Sequence, residues 1–185
     1  MSEPFYRPWG TVTPEFWATP APGTATAPQG LPAESLRARL VKVAEVAQGG
    51  RLEDAAALAA RLDREVTAEY GEAHLHTVQV REVRGYLAAL MGDHSSGLAW
   101  YLQAAQRRVT IQGPGHPDVE SATRRAYSLW RSMPPDSDRR RLGAELLTVV
   151  TDIHGSEAPV VRHTRERLYS FSLPSVPPPP QLNRG

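Results

Sequence analysis

The stretch GPGHPD at residues 113–118 decides the fold that this 185-residue chain is expected to adopt. It separates two segments of helical character, and GEAH at residues 71–74 occupies the equivalent place 42 residues earlier. The same shift aligns Gly50 with Gly92 and Gly113 with Gly155. Helices commonly end in a left-handed turn, which glycine adopts without steric strain. A period of 42 residues therefore predicts a repeated helical unit.

Between the glycines, apolar residues recur at spacings of three and four, which is typical of helices with one buried face. Leu36, Leu40 and Val43 share one such stripe. The pattern predicts an all-α protein of about seven antiparallel helices, at residues 34–48, 52–70, 73–91, 95–112, 117–133, 136–154 and 157–171. Because a helical hairpin cannot bury its apolar flank alone, the period favours a short α-solenoid over a closed bundle.

Proline marks the limits of the predicted domain, because it interrupts helices and central strands. Of 17 prolines, seven fall in residues 1–33 and five in residues 172–185. We therefore predict a helical domain at residues 34–171, between a flexible N-terminal tail and a Pro-rich C-terminal tail that contains the run Pro177 to Pro180.

The second helix of each predicted pair carries small and bulky residues at fixed places. The clearest copy has Gly92, Gly97, Tyr101 and Ala104, and a weaker copy has Gly50, Ala55, Ala59 and Leu62. With the turn at residues 113–117, this pattern resembles the tetratricopeptide repeat family, in the 42-residue form found in kinesin light chains and their bacterial relatives. Small residues at these places allow the two helices of a pair to approach closely. The resemblance covers residues 34–171 and implies a right-handed solenoid.

The third repeat departs from the family pattern. Arg139 and Gly143 stand in place of its small and aromatic residues, Pro134 replaces its glycine, and Ala158 replaces the third histidine. Terminal repeats are often atypical because they face water, so the last helix is expected to be a cap.

The resemblance also implies a concave groove, lined by the first helix of each pair, that binds a partner protein or peptide. Carried over position by position, the exposed groove candidates are Arg37, Gln79, Glu82, Tyr86, Ser121, Arg124, Ser128 and Arg131. Arginines along this groove would suit an acidic peptide, because guanidinium makes paired bonds to carboxylates. The alternative is that these side chains are only the solvated face of amphipathic helices.

Composition excludes several classes of function. The chain has no cysteine, which excludes disulfides, thiolate metal sites and cysteine nucleophiles. Its 21 basic residues nearly cancel its 20 acidic ones, and this balance argues against binding to nucleic acid or membranes by bulk charge. No apolar run is long enough to cross a membrane, so we expect a soluble, cytoplasmic protein. Arginine far outnumbers the single lysine, Lys42, a bias that we attribute to a GC-rich, bacterial genome.

No catalytic motif or cofactor fingerprint is present, so we expect neither an enzyme nor a cofactor. The histidines at positions 74, 76, 94 and 116 raise the possibility of a metal site. His74 and His116 occupy equivalent turns, however, and we expect them to be turn or capping residues, with no metal bound.

Aromatic residues are concentrated near the N-terminus, where spacer sequences are usually poor in them. They are Phe5, Tyr6, Trp9, Phe16 and Trp17. We interpret this segment as a docking motif for another protein, or as a cover for the chain's own repeat domain.

The sequence predicts a non-catalytic adaptor or scaffold that binds a partner protein or peptide, with the N-terminal tail regulating or extending this binding. An alternative is a regulatory protein associated with nucleic acid through the Arg-rich region 124–141.

Overall fold

The computed structural model of the chain describes residues 33–134 and 138–171. These ranges form seven α-helices and no β-strand, which confirms the all-α class. In chain order the helices are α1 (Ala33–Gln48), α2 (Leu52–Tyr70), α3 (Leu75–Leu90), α4 (His94–Gln112), α5 (Pro117–Ser132), α6 (Arg139–His154) and α7 (Pro159–Ser170). The two predicted tails, including the N-terminal aromatic segment, lie outside the described residues, apart from Ala33, which begins α1.

The helix boundaries repeat with the period found in the sequence. α1, α3 and α5 each have 16 residues and begin 42 residues apart, and α2 and α4 each have 19 residues with the same offset. α2, α4 and α6 end at Gly71, Gly113 and Gly155, whose φ angles are 85°, 89° and 80°. Because a side chain would be strained at such an angle, these three ends of the repeat favour glycine.

Histidine caps the N-termini of α3 and α5, which are equivalent positions of the repeat. The ring nitrogen Nδ1 of His74 accepts a hydrogen bond from the backbone N–H of His76 at 3.1 Å, and that of His116 accepts from Asp118 at 3.1 Å. The capping role expected of these two histidines is therefore confirmed. At α7 the equivalent residue is Ala158, which makes no side-chain capping bond.

Substantial contacts between the helices are confined to neighbours and next neighbours along the chain. The most extensive contact joins α3 with α4. The next-neighbour contacts pair α1 with α3, α4 with α6, and α5 with α7. Each of these three contacts joins two odd-numbered or two even-numbered helices, whereas α2 with α4 and α3 with α5 make no contact of comparable extent.

The buried apolar residues form two clusters. One lies on α1, α2 and α3 and includes Leu40 and Leu62, and the other extends from α3 to α7. Trp130 of α5 is fully buried in the second cluster, and its indole Nε1 donates to the carbonyl oxygen of Arg139 at 2.7 Å. Trp130 therefore packs between helices, with its one polar atom satisfied.

Candidate functional site

Two of the predicted groove residues are not exposed. Glu82 is 3% exposed and Tyr86 is 8% exposed, so the expectation that both face solvent is wrong. Tyr86 belongs to the buried apolar cluster that also contains Leu98 and Trp130. Glu82 is buried because two arginines from other helices, Arg108 and Arg125, surround its carboxylate.

Glu82 joins three helices through a buried ionic cluster. Arg108 of α4 binds both carboxylate oxygens, with Nε 2.9 Å from Oε1 and Nη2 2.9 Å from Oε2. Arg125 of α5 places Nη2 2.7 Å from Oε1. Arg108 also donates to Asp118 Oδ2 at 3.0 Å, and Gln112 donates to the same oxygen. The carboxylate of Glu82 is therefore fully engaged within the chain.

The arginines keep Glu82 ionised despite its burial. Burial alone would raise the pKa of Glu82, but the positive charges of Arg125 and Arg108 outweigh it and hold the pKa below its usual value. Burial likewise opposes the charge of Arg108, yet the bonds to Glu82 raise the pKa of that guanidinium. The cluster is thus a set of compensated charges, and it fixes α3, α4 and α5 relative to one another.

The remaining groove candidates are accessible to different degrees. Arg37 on α1 and Arg124 and Arg131 on α5 are exposed, whereas the three uncharged polar candidates are half-buried, namely Gln79, Ser121 and Ser128. Arg124 pairs with Glu120 one turn earlier at 2.6 Å. Neither Arg37 nor Arg131 forms an ion pair with any residue in the described ranges, so these two guanidinium groups supply the accessible positive charge of the set.

A second buried ionic cluster lies between α2 and α3, and sequence reasoning missed it. Asp63, with 5% of its surface exposed, accepts hydrogen bonds from Arg81 at 3.2 Å and from Arg84. Arg84 also lies over the ring of Trp100, 4.2 Å from its centroid. No sequence signal marks these contacts, because the partners are 18 and 21 residues apart and on different helices.

A cavity of about 390 Å³ lies where α5, the end of α6 and the start of α7 meet, and we call it the α5–α7 cavity. Its lining consists of Pro114, Gly115, His116, Glu120, Thr123, Arg124, Tyr127, His154, Ala158, Pro159, Val160 and His163. Of the predicted groove residues, it includes only Arg124. The sequence signal for this site is Ala158, which the resemblance already marks as the position that lacks the repeated histidine.

Most of the Arg-rich region is engaged within the chain. Arg124 and Arg125 pair with Glu120 and Glu82, and Arg141 pairs with Asp138 and Glu145. Arg139 stacks on the ring of Phe171 at 4.3 Å. Arg131 and Arg140 are the members of this region that are exposed and form no ion pair among the described residues. These pairings reduce the charge that region 124–141 could offer to phosphates.

Comparisons with known proteins give no assignment for this chain, because no protein family, curated protein or solved structure matches it. Within residues 33–134 and 138–171, no three histidine or carboxylate side chains come together as metal ligands would. No helix in the same ranges combines the length and the apolar character needed to cross a membrane.

Proposed function

We propose that this protein is a non-catalytic adaptor, built as a short right-handed solenoid of the tetratricopeptide type, that binds a segment of a partner protein. The observation that carries the proposal is the 42-residue repetition of helix boundaries, helix-ending glycines and capping histidines. In repeat proteins of this kind, stacked hairpins create an extended surface that suits binding of another chain.

We place the binding surface on the odd-numbered helices, where Arg37 of α1 and Arg131 of α5 are exposed. The contacts of α1 with α3 and of α5 with α7, together with the ion pair between Glu82 of α3 and Arg125 of α5, support a layer made by these helices. Glu82 is the one acidic residue among the candidates, and Arg108 and Arg125 neutralise it. The accessible part of the surface therefore favours an acidic segment, because guanidinium and carboxylate form charge-assisted hydrogen bonds.

A charge-reversal experiment tests this placement. A fluorescently labelled, glutamate-rich decapeptide is titrated with the full-length chain and its anisotropy measured at low and moderate salt. We expect saturable binding that weakens as salt rises, and loss of that binding in the double variant Arg37→Glu with Arg131→Glu. Circular dichroism should remain unchanged, since both side chains are exposed.

The matched control reverses two exposed arginines on even-numbered helices, Arg64→Glu on α2 and Arg140→Glu on α6, and changes the net charge by the same amount. It should bind the peptide almost as the wild type does. Equal losses in the two double variants would mean that bulk charge rather than the odd-numbered surface attracts the peptide, and the placement would be abandoned.

A further inference from the structure

Three helix junctions occupy equivalent places in the repeat, and the third differs from the others. The residue that ends the preceding helix and the capping residue are Tyr70 and His74 at the first junction, Gln112 and His116 at the second, and His154 and Ala158 at the third. At the first junction the rings of Tyr70 and His74 stack, with centroids 4.6 Å apart and an interplanar angle of 22°. At this junction the imidazole of the capping residue therefore stacks on the ring of the residue that ends the preceding helix.

The third junction keeps the backbone geometry of the second but has no ring at the capping position. The φ and ψ angles of Ala158 are −63° and 143°, close to the −74° and 138° of His116. By the same equivalence, the backbone N–H of Val160 corresponds to that of Asp118, which donates to the imidazole of His116. His154, Ala158 and Val160 all line the α5–α7 cavity. The cavity therefore adjoins the position that an imidazole fills in the earlier repeats.

The walls of the cavity favour a neutral ligand over an ion. Glu120 and Arg124 compensate each other at 2.6 Å. The hydroxyl of Thr123 lies within hydrogen-bond distance of the backbone carbonyl oxygen of Glu120, at 3.0 Å, and of Nε2 of His154, at 3.1 Å, so both side chains have partners within the chain. Burial also lowers the pKa of His154, although Glu120 opposes this effect.

Apolar and aromatic groups form much of the remaining lining, which also includes His116 and His163. Tyr127, Pro114, Pro159 and Val160 contribute ring and aliphatic surfaces. At about 390 Å³ the cavity falls within the range of sites that bind small molecules, and it exceeds the space that one imidazole needs. A flat ligand of two fused rings fits both the size and the apolar character of these walls.

We propose that the α5–α7 cavity binds a small, neutral, planar nitrogen heterocycle, which stacks on the ring of His154 and accepts a hydrogen bond from the backbone N–H of Val160 through a ring nitrogen. The ligand takes the place that His74 and His116 hold at the first two junctions. Neither Arg37 nor Arg131 lines this site, so its test is separate from the charge-reversal test of the peptide-binding surface.

Benzimidazole and indole test the proposal directly, because they have the same shape and only benzimidazole has a ring nitrogen that accepts a hydrogen bond. Each is titrated into the ¹⁵N-labelled full-length chain near neutral pH, and amide shifts are followed by NMR. We expect benzimidazole to shift the Val160 amide saturably and to bind about tenfold more tightly than indole, which corresponds to one hydrogen bond. Equal affinities, or no saturable shift at Val160, would overturn the proposal.

Two variants sharpen the test. Ala158→His supplies the absent ring, so it should abolish benzimidazole binding and raise the thermal midpoint by a few degrees, as a new helix cap does. His74→Ala should create a second site beside Tyr70, so this variant should bind two equivalents of benzimidazole. If Ala158→His retains wild-type affinity, the ligand binds elsewhere and the proposal fails. The wild-type shift at Val160 provides an independent criterion should the histidine variant not fold.

Discussion

The second and third hairpins, α3–α4 and α5–α6, distribute their large and small residues in opposite ways. In α3–α4, two glycines face each other, and a Cβ atom on Gly97 would lie 3.0 Å from the carbonyl oxygen of Gly85. One period later, Tyr127 and Arg139 occupy these two positions. Side chains of that size prevent an equally close approach, and the contact between α5 and α6 is much less extensive than that between α3 and α4.

Trp130 fills the space that the wider hairpin leaves. Its ring on α5 lies against Gly143 of α6, so closely that a Cβ atom on Gly143 would be 2.6 Å from a ring carbon. The positions one period earlier hold Ala88 on α3 and Tyr101 on α4, so the bulky residue has moved from the second helix of the pair to the first. Both hairpins therefore have one bulky side chain that fills the interface between their two helices. A close-packed interface tolerates the transfer of this volume from one helix to the other, but not its loss.

If Trp130 fills the interface of the third hairpin as the glycine contact closes that of the second, removal of the Trp130 side chain should lower the free energy of unfolding more than any other single substitution. We expect Trp130→Ala to lower the free energy of unfolding by about 4 kcal/mol, because it leaves a cavity in the core and removes the ring that separates α5 from α6. Urea denaturation followed by circular dichroism measures this loss.

The matched control for Trp130 is Tyr169→Ala on α7. Tyr169 is another large aromatic residue, but 67% of its surface is exposed. Its replacement should change the free energy of unfolding by less than about 0.5 kcal/mol. A loss below about 1 kcal/mol for Trp130→Ala would contradict the assignment of Trp130 as the residue that fills the third hairpin.

Sequence reasoning succeeded where the determinants are local. The glycines at helix ends and the histidines at helix starts act within a few residues of themselves, so their spacing alone located the turns. The exchange at Arg139 and Gly143 was also visible as a departure from the pattern, but its compensation by Trp130 was not. That compensation depends on a residue of another helix, which periodicity does not specify.

The errors concern polar residues that face another helix. Glu82 and Tyr86 were predicted to be exposed because the family resemblance places their positions on the groove-lining face of the repeat. The partners of Glu82 are 26 and 43 residues away, at Arg108 and Arg125, and no local pattern connects them. The α5–α7 cavity could not be predicted for the same reason. Ala158 marks the missing histidine in the sequence, but residues of three helices line the cavity.

The next largest effect is expected at Glu82, since the ionic cluster links the second hairpin to the third. Glu82→Gln keeps the shape of the side chain but removes the charge that compensates Arg125 and one of the two carboxylates that compensate Arg108, which keeps only Asp118. We expect a loss of about 3 kcal/mol in the free energy of unfolding at neutral pH, which is typical of removing one partner of a buried ion pair. The control, Glu45→Gln, alters an exposed and loosely paired carboxylate and should cost less than about 0.5 kcal/mol.

The same carboxylate should give the wild type an acid-sensitive contribution to stability. The pKa of Glu82 is lower in the folded chain than its usual value of 4.5, so the unfolded chain binds the proton more readily. This contribution is fully present above pH 4.5 and is lost as the pH falls through the lower folded pKa. Unfolding measured between neutral pH and about pH 3 should therefore show a shallower decline in Glu82→Gln than in the wild type. Parallel declines would show that other groups cause the acid sensitivity.

The smallest effects compare the two glycine contacts themselves. Alanine in a helix interior is favoured over glycine by up to about 1 kcal/mol, which offsets part of any steric cost. At Gly143 the new Cβ would lie 2.6 Å from the packed ring of Trp130, so we expect Gly143→Ala to cost about 2 kcal/mol. At Gly97 the nearest atom is a backbone oxygen at 3.0 Å, and a shift of a few tenths of an ångström relieves the contact, so Gly97→Ala should cost less than about 1 kcal/mol. Paired urea titrations decide the order. A larger loss at Gly97 would mean that the glycine contact of α3–α4 is the more rigid of the two, and that the third hairpin accommodates change by moving its tryptophan.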